Sequence, residues 1–193
     1  MNGFERHHSG AVIAAFNVFE ADLLRNLAQQ VVELLRSEQA EPTEHEDPLA
    51  ALFDFNGPAD EPDDPVLLRL FPTAYEEDPE AAGEFRRYTE PALRAGKERN
   101  ALQVIEDLED AGLPYEPEDD SLMIDLELDE PSAMAWLLAL NDIRLAIATR
   151  LGITEDDHEF WESLPEEDPR SHAHDIYEWT GWVQETLVAA IDV

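Results

Sequence analysis

The sequence predicts a mainly α-helical (α+β) fold, a single-domain helical bundle with a small antiparallel sheet made by an N-terminal hairpin and one later strand. Apolar residues recur at helical spacing in several long segments, whereas period-two alternation is confined to the N-terminus and to residues 122–128. The chain has 193 residues, of which 44% are hydrophobic, which is enough to bury one core. We therefore expect residues 1–193 to form one domain.

The N-terminal elements are a hairpin and a capped helix. Residues 4–7 and 11–16 are predicted as strands joined through Ser9 and Gly10. Asn17 and Glu20, three residues apart, have the spacing of a capping box at a helix start. The apolar residues of this helix, which extends to Arg36, are Leu23, Leu24, Leu27, Val31, Leu34 and Leu35.

The middle of the chain is predicted to be a loop followed by helix. Residues 37–65 form an acidic, proline-containing loop region interrupted by a short apolar helix at 48–55, and 66–71 add another turn. Helical spacing resumes at Glu80, and Pro91 is expected to force a break or a new first turn before 92–111. The side chains expected to face inward are Phe85, Tyr88, Leu93, Leu102, Ile105 and Leu108.

The C-terminal half is predicted to hold a strand and two helices. After a loop at 112–120, residues 122–128 alternate between apolar and polar side chains, so we expect a half-buried strand that pairs with the hairpin. Asp129 or Ser132 caps the strongest helix, at 133–151, and Gly152 ends it. A final helix is predicted from about residue 174 to residue 190.

Acidic residues dominate the charge of the chain, whose formal net charge is -34. Ten carboxylates and no lysine or arginine lie between Arg36 and Arg69. Because DNA is itself a polyanion, direct DNA binding is not expected, and basic proteins are the predicted partners. The alternative is that the acidic residues form a solvated surface, which aids solubility or is suited to high salt concentration.

No enzyme signature is present in the sequence. It lacks a glycine-rich phosphate loop, a nucleophile elbow and a His-Glu-x-x-His pattern, and it contains no cysteine. The histidine pairs His7-His8 and His172-x-His174 could ligate a metal, but neither has a full ligand set, so we interpret them as surface or capping residues. The prediction is a non-enzyme without a cofactor.

Cations are scarce and clustered. Five of the twelve lie within fourteen residues: Arg86, Arg87, Arg94, Lys97 and Arg99. Arg86, Glu90 and Arg94 follow one another at i+4 spacing, which favours an ion-pair ladder along one helix face. The alternative is that Arg86, Arg87 and Arg94 contact a partner. This cluster of cations is the one place where nucleic acid could contact the protein.

Two further groups are candidates for a structural network or a partner contact. Asn141, Asp142 and Arg144 interrupt the apolar helix at 133–151, and buried polar groups there must find hydrogen bonds. Trp179 and Trp182 fit either a core or an interface, where aromatic side chains are enriched.

Targeting features are not evident in this sequence. Residues 1–19 do not have the pattern of a signal peptide, and the apolar runs are shorter than the roughly 20 residues of a membrane span. We expect a cytoplasmic protein that does not insert into a membrane, and a homodimer remains open.

Several strings resemble a known actinobacterial family. They are Glu84-Phe85-Arg86-Arg87-Tyr88-Thr89-Glu90 with Leu93, Arg94 and Lys97, Leu140-Asn141-Asp142-Ile143-Arg144-Leu145 with Thr149-Arg150-Leu151, and Tyr177, Trp179, Trp182 and Gln184. Residues 47–53, 65–72 and 164–170 match in the same order. In these strings the chain resembles the oxidative-stress regulator (AosR) family over nearly its whole length.

The resemblance implies a transcription regulator of the oxidative stress response that works with an alternative sigma factor on cysteine-biosynthesis genes and senses oxidant through a cysteine pair. Because this chain has no cysteine, disulfide sensing cannot carry over to it. Oxidation of Met123 or Met134 is the alternative. The family is often encoded beside the Clp adaptor ClpS, so the second functional hypothesis is an accessory factor of Clp proteolysis.

Overall fold

The computed structural model describes residues 2–38, 60–117, 121–154, 156–165 and 167–192. Within these residues there are three strands, β1 Asn2–Arg6, β2 Val12–Asn17 and β3 Met123–Leu128. The same residues form six helices, α1 Val18–Ser37, α2 Pro65–Leu70, α3 Pro79–Asp110, α4 Glu130–Leu151, α5 His158–Glu162 and α6 Pro169–Ile191. The predicted mainly α-helical (α+β) class is confirmed, and the helix predicted at 48–55 lies outside the described residues.

The strands form one antiparallel sheet, as predicted, and their order in it is β1-β2-β3. Val12 pairs with Leu128 and Asn17 with Met123, so the hairpin and the later strand join along the whole of β2. Gly10 has a φ of +95° in the hairpin turn, a conformation that glycine adopts without a steric penalty. The inward face of the sheet is buried against the helices and consists of Phe4, Val12, Ala14, Phe16, Ile124, Leu126 and Leu128.

Helices α1 and α4 start where the sequence places their caps. The Asn17 side chain accepts from the backbone N–H groups of Phe19 and Glu20, and Glu20 accepts from the Asn17 N–H, which completes the predicted capping box. The Asp129 carboxylate accepts from the N–H of Ser132 at the start of α4, and Gly152 ends that helix with a φ of +71°. These local signals define where α1 and α4 begin and where α4 ends.

The C-terminal helix differs from the prediction in its start. Helix α6 begins at Pro169, five residues before the predicted position, because Asp168 caps it and proline occupies its first turn. The short helix α5 was not predicted. It has five residues, and Asp157 at its N-cap makes no side-chain cap hydrogen bond, so the sequence carries little periodicity or capping signal for it.

Helix α3 corrects two predictions. It passes through Pro91 without the expected break, and because Arg87 and Pro91 are both exposed, water can hydrate the Arg87 carbonyl that loses its helical N–H partner. Four of the six residues expected to face inward are exposed: Phe85, Tyr88, Leu93 and Leu102. Ile105 is half-buried against the core and Leu108 is buried.

Candidate functional site

The inward face of the first half of α3 is charged rather than apolar. Arg86, Glu90 and Arg94 are only 6%, 2% and 5% exposed. One Glu90 carboxylate oxygen accepts from Arg86 Nη1 at 2.9 Å, and the other accepts from Arg94 Nη2 at 2.5 Å. The i+4 spacing seen in the sequence therefore corresponds to an ion-pair ladder in the structure, and this ladder takes the inward positions that the prediction gave to apolar residues.

The ladder also binds the ends of two other helices. Arg94 Nη1 donates to the Leu35 carbonyl at 2.6 Å, in the last turn of α1. Arg86 Nη1 donates to the carbonyl of Phe71, the residue after α2, at 3.2 Å, and the Arg94 guanidinium lies 4.8 Å from the Phe71 ring. Carbonyls at helix C-termini lack intrahelical partners and attract cations. The two arginines therefore stabilise the C-terminal ends of α1 and α2.

A second ion pair, between Lys97 and Asp142, joins α3 to α4. Lys97 Nζ and the Asp142 carboxylate are 2.6 Å apart, and Asp142 is buried. Burial raises the pKa of the Asp142 carboxyl above its usual value, and the hydrogen bond and charge of Lys97 oppose that rise. Lys97 is also 6.0 Å from the Phe71 ring, so this pair and the ladder form one continuous polar cluster around Phe71.

Arg144 separates from the other two members of the polar trio in α4, Asn141 and Asp142, whose side chains are neighbours. Asp142 faces α3, Asn141 is exposed, and Arg144 faces α6, where its Nη1 donates to Gln184 at 2.8 Å. The Arg144 guanidinium lies 5.0 Å from the Tyr177 ring and against the backbone of Gly181, where a Cβ would come within 3.0 Å of Nη2. The buried Nε of Arg144 has no hydrogen-bond partner among the residues that the structure describes.

The remaining predicted residues lie elsewhere. Arg87 is exposed on α3, away from the ladder beside it. Trp179 and Trp182 are half-buried and pack against the core, and Trp179 contacts Phe16 edge-on with 6.4 Å between ring centroids. The structure thus brings together Arg86, Arg94 and Asp142, and separates them from Arg144 and the two tryptophans.

Sequence reasoning missed a buried arginine in α1. Arg25 forms an ion pair with Asp22 and donates to the carbonyls of Pro114 and Tyr115 at 3.0 Å each. The only signal in the sequence for the burial of Arg25 is its position one residue after Leu24 and three before Ala28. Both of these residues are buried in the structure. Arg25 therefore stabilises the loop between α3 and β3.

The histidines interact with neighbouring side chains. His7 Nδ1 is 2.8 Å from Ser9 Oγ in the hairpin turn, and the His174 ring stacks on Trp161 with centroids 5.0 Å apart. Within the described residues no group of three histidine, aspartate or glutamate side chains has the arrangement of a metal site.

A groove of about 560 Å³ lies among α1, α2, α4 and α6. Its walls are mainly aliphatic, with Val31, Leu34 and Ile147 among them, and its polar lining residues are Gln30, Glu33, Ser37 and Arg150. Arg150 binds Asp64 at 2.6 Å. Among the lining residues that the structure describes, none forms a nucleophile–base pair or a pair of facing carboxylates.

The described helices also bear on the membrane prediction. None of them combines the length and the apolar character that crossing a bilayer requires.

Comparison with known proteins places the chain in a family. The family model described as "Domain of unknown function (DUF2017)" matches residues 1–191. The chain belongs to the DUF2017 family. The AosR proteins of mycobacteria are similar to it over most of its length, so the predicted resemblance to the AosR family is confirmed.

Two relatives illustrate the similarity. The oxidative stress regulator AosR of Mycobacterium bovis is 30% identical over 186 residues, which cover 89% of this DUF2017 chain and 78% of the relative. AosR of Mycobacterium leprae is 32% identical over the same shares of the two chains. No solved structure matches the chain.

Proposed function

We propose that this chain is a cytoplasmic, non-enzymatic regulator of the oxidative stress response that acts on transcription through protein contacts. The observation that carries the proposal is the 30% identity, over 89% of the chain, to mycobacterial proteins named oxidative stress regulators. Residues 1–193 act as one domain in this proposal. The homologues are named as regulators, not as enzymes.

The charge of the chain supports a basic protein as the partner. A net charge of -34 attracts a cationic protein surface and repels nucleic acid. The five clustered cations do not form an opposing basic patch, because the ladder and the Asp142 pair engage Arg86, Arg94 and Lys97 inside the protein. A basic region of a sigma factor is the first partner to test, and direct DNA binding is not expected.

The buried polar residues support a structural role for most of the candidate site. Arg86, Arg94 and Asp142 are each bonded within the chain, and Arg144 is bonded to Gln184. Arg87 and Asn141 are exposed, so among the predicted contact residues these two are the ones that a partner can reach without opening the core.

Oxidant sensing in this chain must differ from the cysteine mechanism that the AosR resemblance implies. The 193 residues contain no cysteine, so no disulfide can form within them. Met123 and Met134 are 47% and 43% exposed, and methionine is the side chain that remains open to reversible oxidation. We propose that the partner, or one of these methionines, receives the oxidant signal.

Affinity purification from the native cell tests the proposal. With a tagged chain as bait, we expect a basic transcription protein to be recovered at about 0.1 M salt and largely lost at about 0.5 M, because screening weakens charge attraction. Deletion of the gene should increase sensitivity to peroxide. Recovery of ClpS or a Clp ATPase would favour the Clp-linked hypothesis, and tight binding to duplex DNA would contradict the charge argument.

A further inference from the structure

The two edges of the sheet differ in what lies beside them. Helix α6 closes the edge at β1, where the Phe4 N–H donates to Thr186 Oγ1 at 3.0 Å and a Cβ at Gly3 would come within 2.6 Å of Thr186. Strand β3 pairs with β2 on one side, and within the part of the chain that the structure describes no strand pairs with its other side. An edge of this kind can pair with a strand from another molecule.

The backbone groups at this edge belong to the exposed residues of β3. The Val18 N–H donates to the Leu122 carbonyl at 3.0 Å, and along an antiparallel ladder such hydrogen-bonded pairs alternate with non-hydrogen-bonded ones. The inward-facing residues of β3 therefore bond to β2. The residues whose N–H and C=O groups point to the free edge are Met123, Asp125 and Glu127, and all three side chains are exposed.

The outer face of the sheet beside this edge is acidic and concave. A trough of about 430 Å³ lies between Glu5 on β1 and the carboxylates of Asp125 and Glu127 on β3, and its floor includes Ile13 and Ala15 of β2. Among the described residues, no lysine or arginine forms an ion pair with Asp125 or Glu127. These two carboxylates are therefore available to the cations of another molecule.

An extended segment with alternating basic residues fits this edge. Side chains of a strand alternate between the two faces of a sheet, so residues paired with Asp125 and Glu127 would lie on the outer face, each directly opposite a carboxylate. Opposite charges at such positions stabilise strand pairing, and like charges weaken it. A second copy of β3 would bring its own carboxylates against this edge, so the charges disfavour self-pairing and favour a basic segment.

We propose that the free edge of β3 binds an extended basic segment of another protein, which adds a fourth strand to the sheet through backbone hydrogen bonds to Met123, Asp125 and Glu127. The segment has lysine or arginine at every second residue. The residues between them are apolar, because they lie on the same side of the sheet as the buried Ile124 and Leu126. This inference rests on the basic partner proposed above and assigns its contact to one edge of the sheet.

Amide hydrogen exchange of the full chain, followed by NMR, tests this edge. The probe is a short capped peptide in which lysine alternates with valine. At about 1 mM peptide and about 0.05 M NaCl, we expect exchange of the N–H groups of Met123, Asp125 and Glu127 to slow about tenfold, which corresponds to a Kd of about 0.1 mM. The N–H groups of Ile124 and Leu126, already bonded to β2, should change less. Peptide binding without protection at the edge, or no binding at all, would overturn the proposal.

Methylated peptides separate strand pairing from charge attraction. In antiparallel pairing the lysines opposite Asp125 and Glu127 donate their backbone N–H groups to the edge, and the valine N–H groups point away from it. A peptide methylated on the lysine backbone nitrogens keeps its charge but should not protect the edge. A peptide methylated on the valine nitrogens should still protect it. Equal protection by the two peptides would rule out the addition of a strand.

Paired variants of the chain test the two carboxylates. Asp125→Asn combined with Glu127→Gln should weaken binding of the unmethylated peptide at least about fivefold, because both cross-strand charge pairs are lost. Asp175→Asn combined with Glu185→Gln removes the same charge at exposed positions of α6 and should weaken it less than about twofold. Equal weakening would mean that net charge alone attracts the peptide, against the assignment to β3.

The peptide experiments and the affinity purification can fail separately. If the edge substitutions leave the binding of a basic protein recovered from the cell unchanged, the proposed function stands and the edge is rejected as its contact. If no basic protein is recovered but the peptide still protects the edge, strand addition stands and the proposed partner is rejected.

Discussion

Glu90 accepts hydrogen bonds from two arginines at a buried position of α3. The carboxylate is 2% exposed and is shared by Arg86 and Arg94, so its single negative charge offsets part of the charge of two buried cations at once. Removing one member of a buried ion network costs far more than removing a surface charge, because the remaining charges keep their desolvation penalty.

We expect Glu90→Gln to lower the free energy of unfolding by about 3–5 kcal/mol, because it leaves two buried guanidinium groups around a neutral amide. Urea unfolding at pH 7 measures the change. Glu84→Gln, at an exposed position of the same helix, is the matched control and should change stability by less than about 0.5 kcal/mol. Similar values for both variants would show that the ladder is not a major source of stability.

Asp142 gives the protein a pH dependence of defined sign. Because burial raises its pKa in the folded state above the usual value of 3.8, the folded state holds the proton more tightly than the unfolded state. The contribution of Asp142 to the free energy of unfolding therefore falls as pH rises from about 3.8 towards the folded pKa, and then stays level.

We expect Asp142→Asn to remove this fall. The unsubstituted chain should exceed the variant in free energy of unfolding by an amount that decreases as pH rises through that window. The variant also loses a constant amount of stability, because its Lys97 is unpaired. Urea unfolding at a series of pH values measures it. Asp125→Asn, on the exposed face of β3, is the control. A difference that does not change with pH, or that grows, would contradict the assignment.

The contact between α4 and α6 depends on a glycine. The Arg144 guanidinium lies so close to the Gly181 backbone that a Cβ at this position would be 3.0 Å from Nη2, and Gln184 and Tyr177 hold that guanidinium in place. A real Cβ rarely approaches another atom so closely, so either the arginine or the helix must shift.

A pair of glycine-to-alanine variants tests this contact. Gly96→Ala, in α3, adds a Cβ that meets no atom of the described residues within 4 Å and should stabilise the chain by about 1 kcal/mol through helix propensity. Gly181→Ala should instead lower the free energy of unfolding by about 1 kcal/mol, because the clash outweighs the same gain. Thermal and urea unfolding of both variants provide the measurement, and equal stabilisation would show that Arg144 moves without cost.

Elements with strong local signals could be predicted from the sequence. The capping box at Asn17, the alternation in β3 and the glycine after α4 each encode a boundary within a few residues. The inward face of α3 could not be predicted, because hydrophobicity alone places Phe85 and Tyr88 inside and the arginines outside. The spacing of opposite charges at i and i+4 was the only local hint of the ladder.

The partners of the buried cations could not be predicted because they are distant in the sequence. Arg94 donates to a carbonyl 59 residues away, and Arg25 to carbonyls 89 and 90 residues away. Backbone carbonyls are identical at every residue, so no pattern of side chains marks which of them an arginine will reach. Such contacts follow from the packing of α1 against α3, which only the fold defines.

At the level of the whole molecule, self-repulsion should limit stability. The 46 acidic residues outnumber the twelve lysines and arginines, so the folded chain concentrates unbalanced negative charge. Unfolding separates these charges, and low ionic strength therefore favours the unfolded state.

We expect the Tm to rise by roughly 5 °C or more when NaCl increases from about 0.02 M to about 0.5 M at pH 7. Calorimetry at low protein concentration measures the effect on the monomer. The same salt series near the isoelectric point of about 4.1 is the control, because protonation removes most of the repulsion there. A Tm that is independent of salt at pH 7 would mean that the charges are too widely spaced to interact.

The ion pair between α3 and α4 has a consequence for the chemistry of the chain. Lys97 is its single lysine, and so its single side-chain amine is bound to a buried carboxylate. Amine-directed acylating reagents therefore have a single side-chain target, and the reactivity of that amine depends on its ion pair with Asp142. The rate at which Lys97 is modified thus reports how often this ion pair opens, without any introduced label.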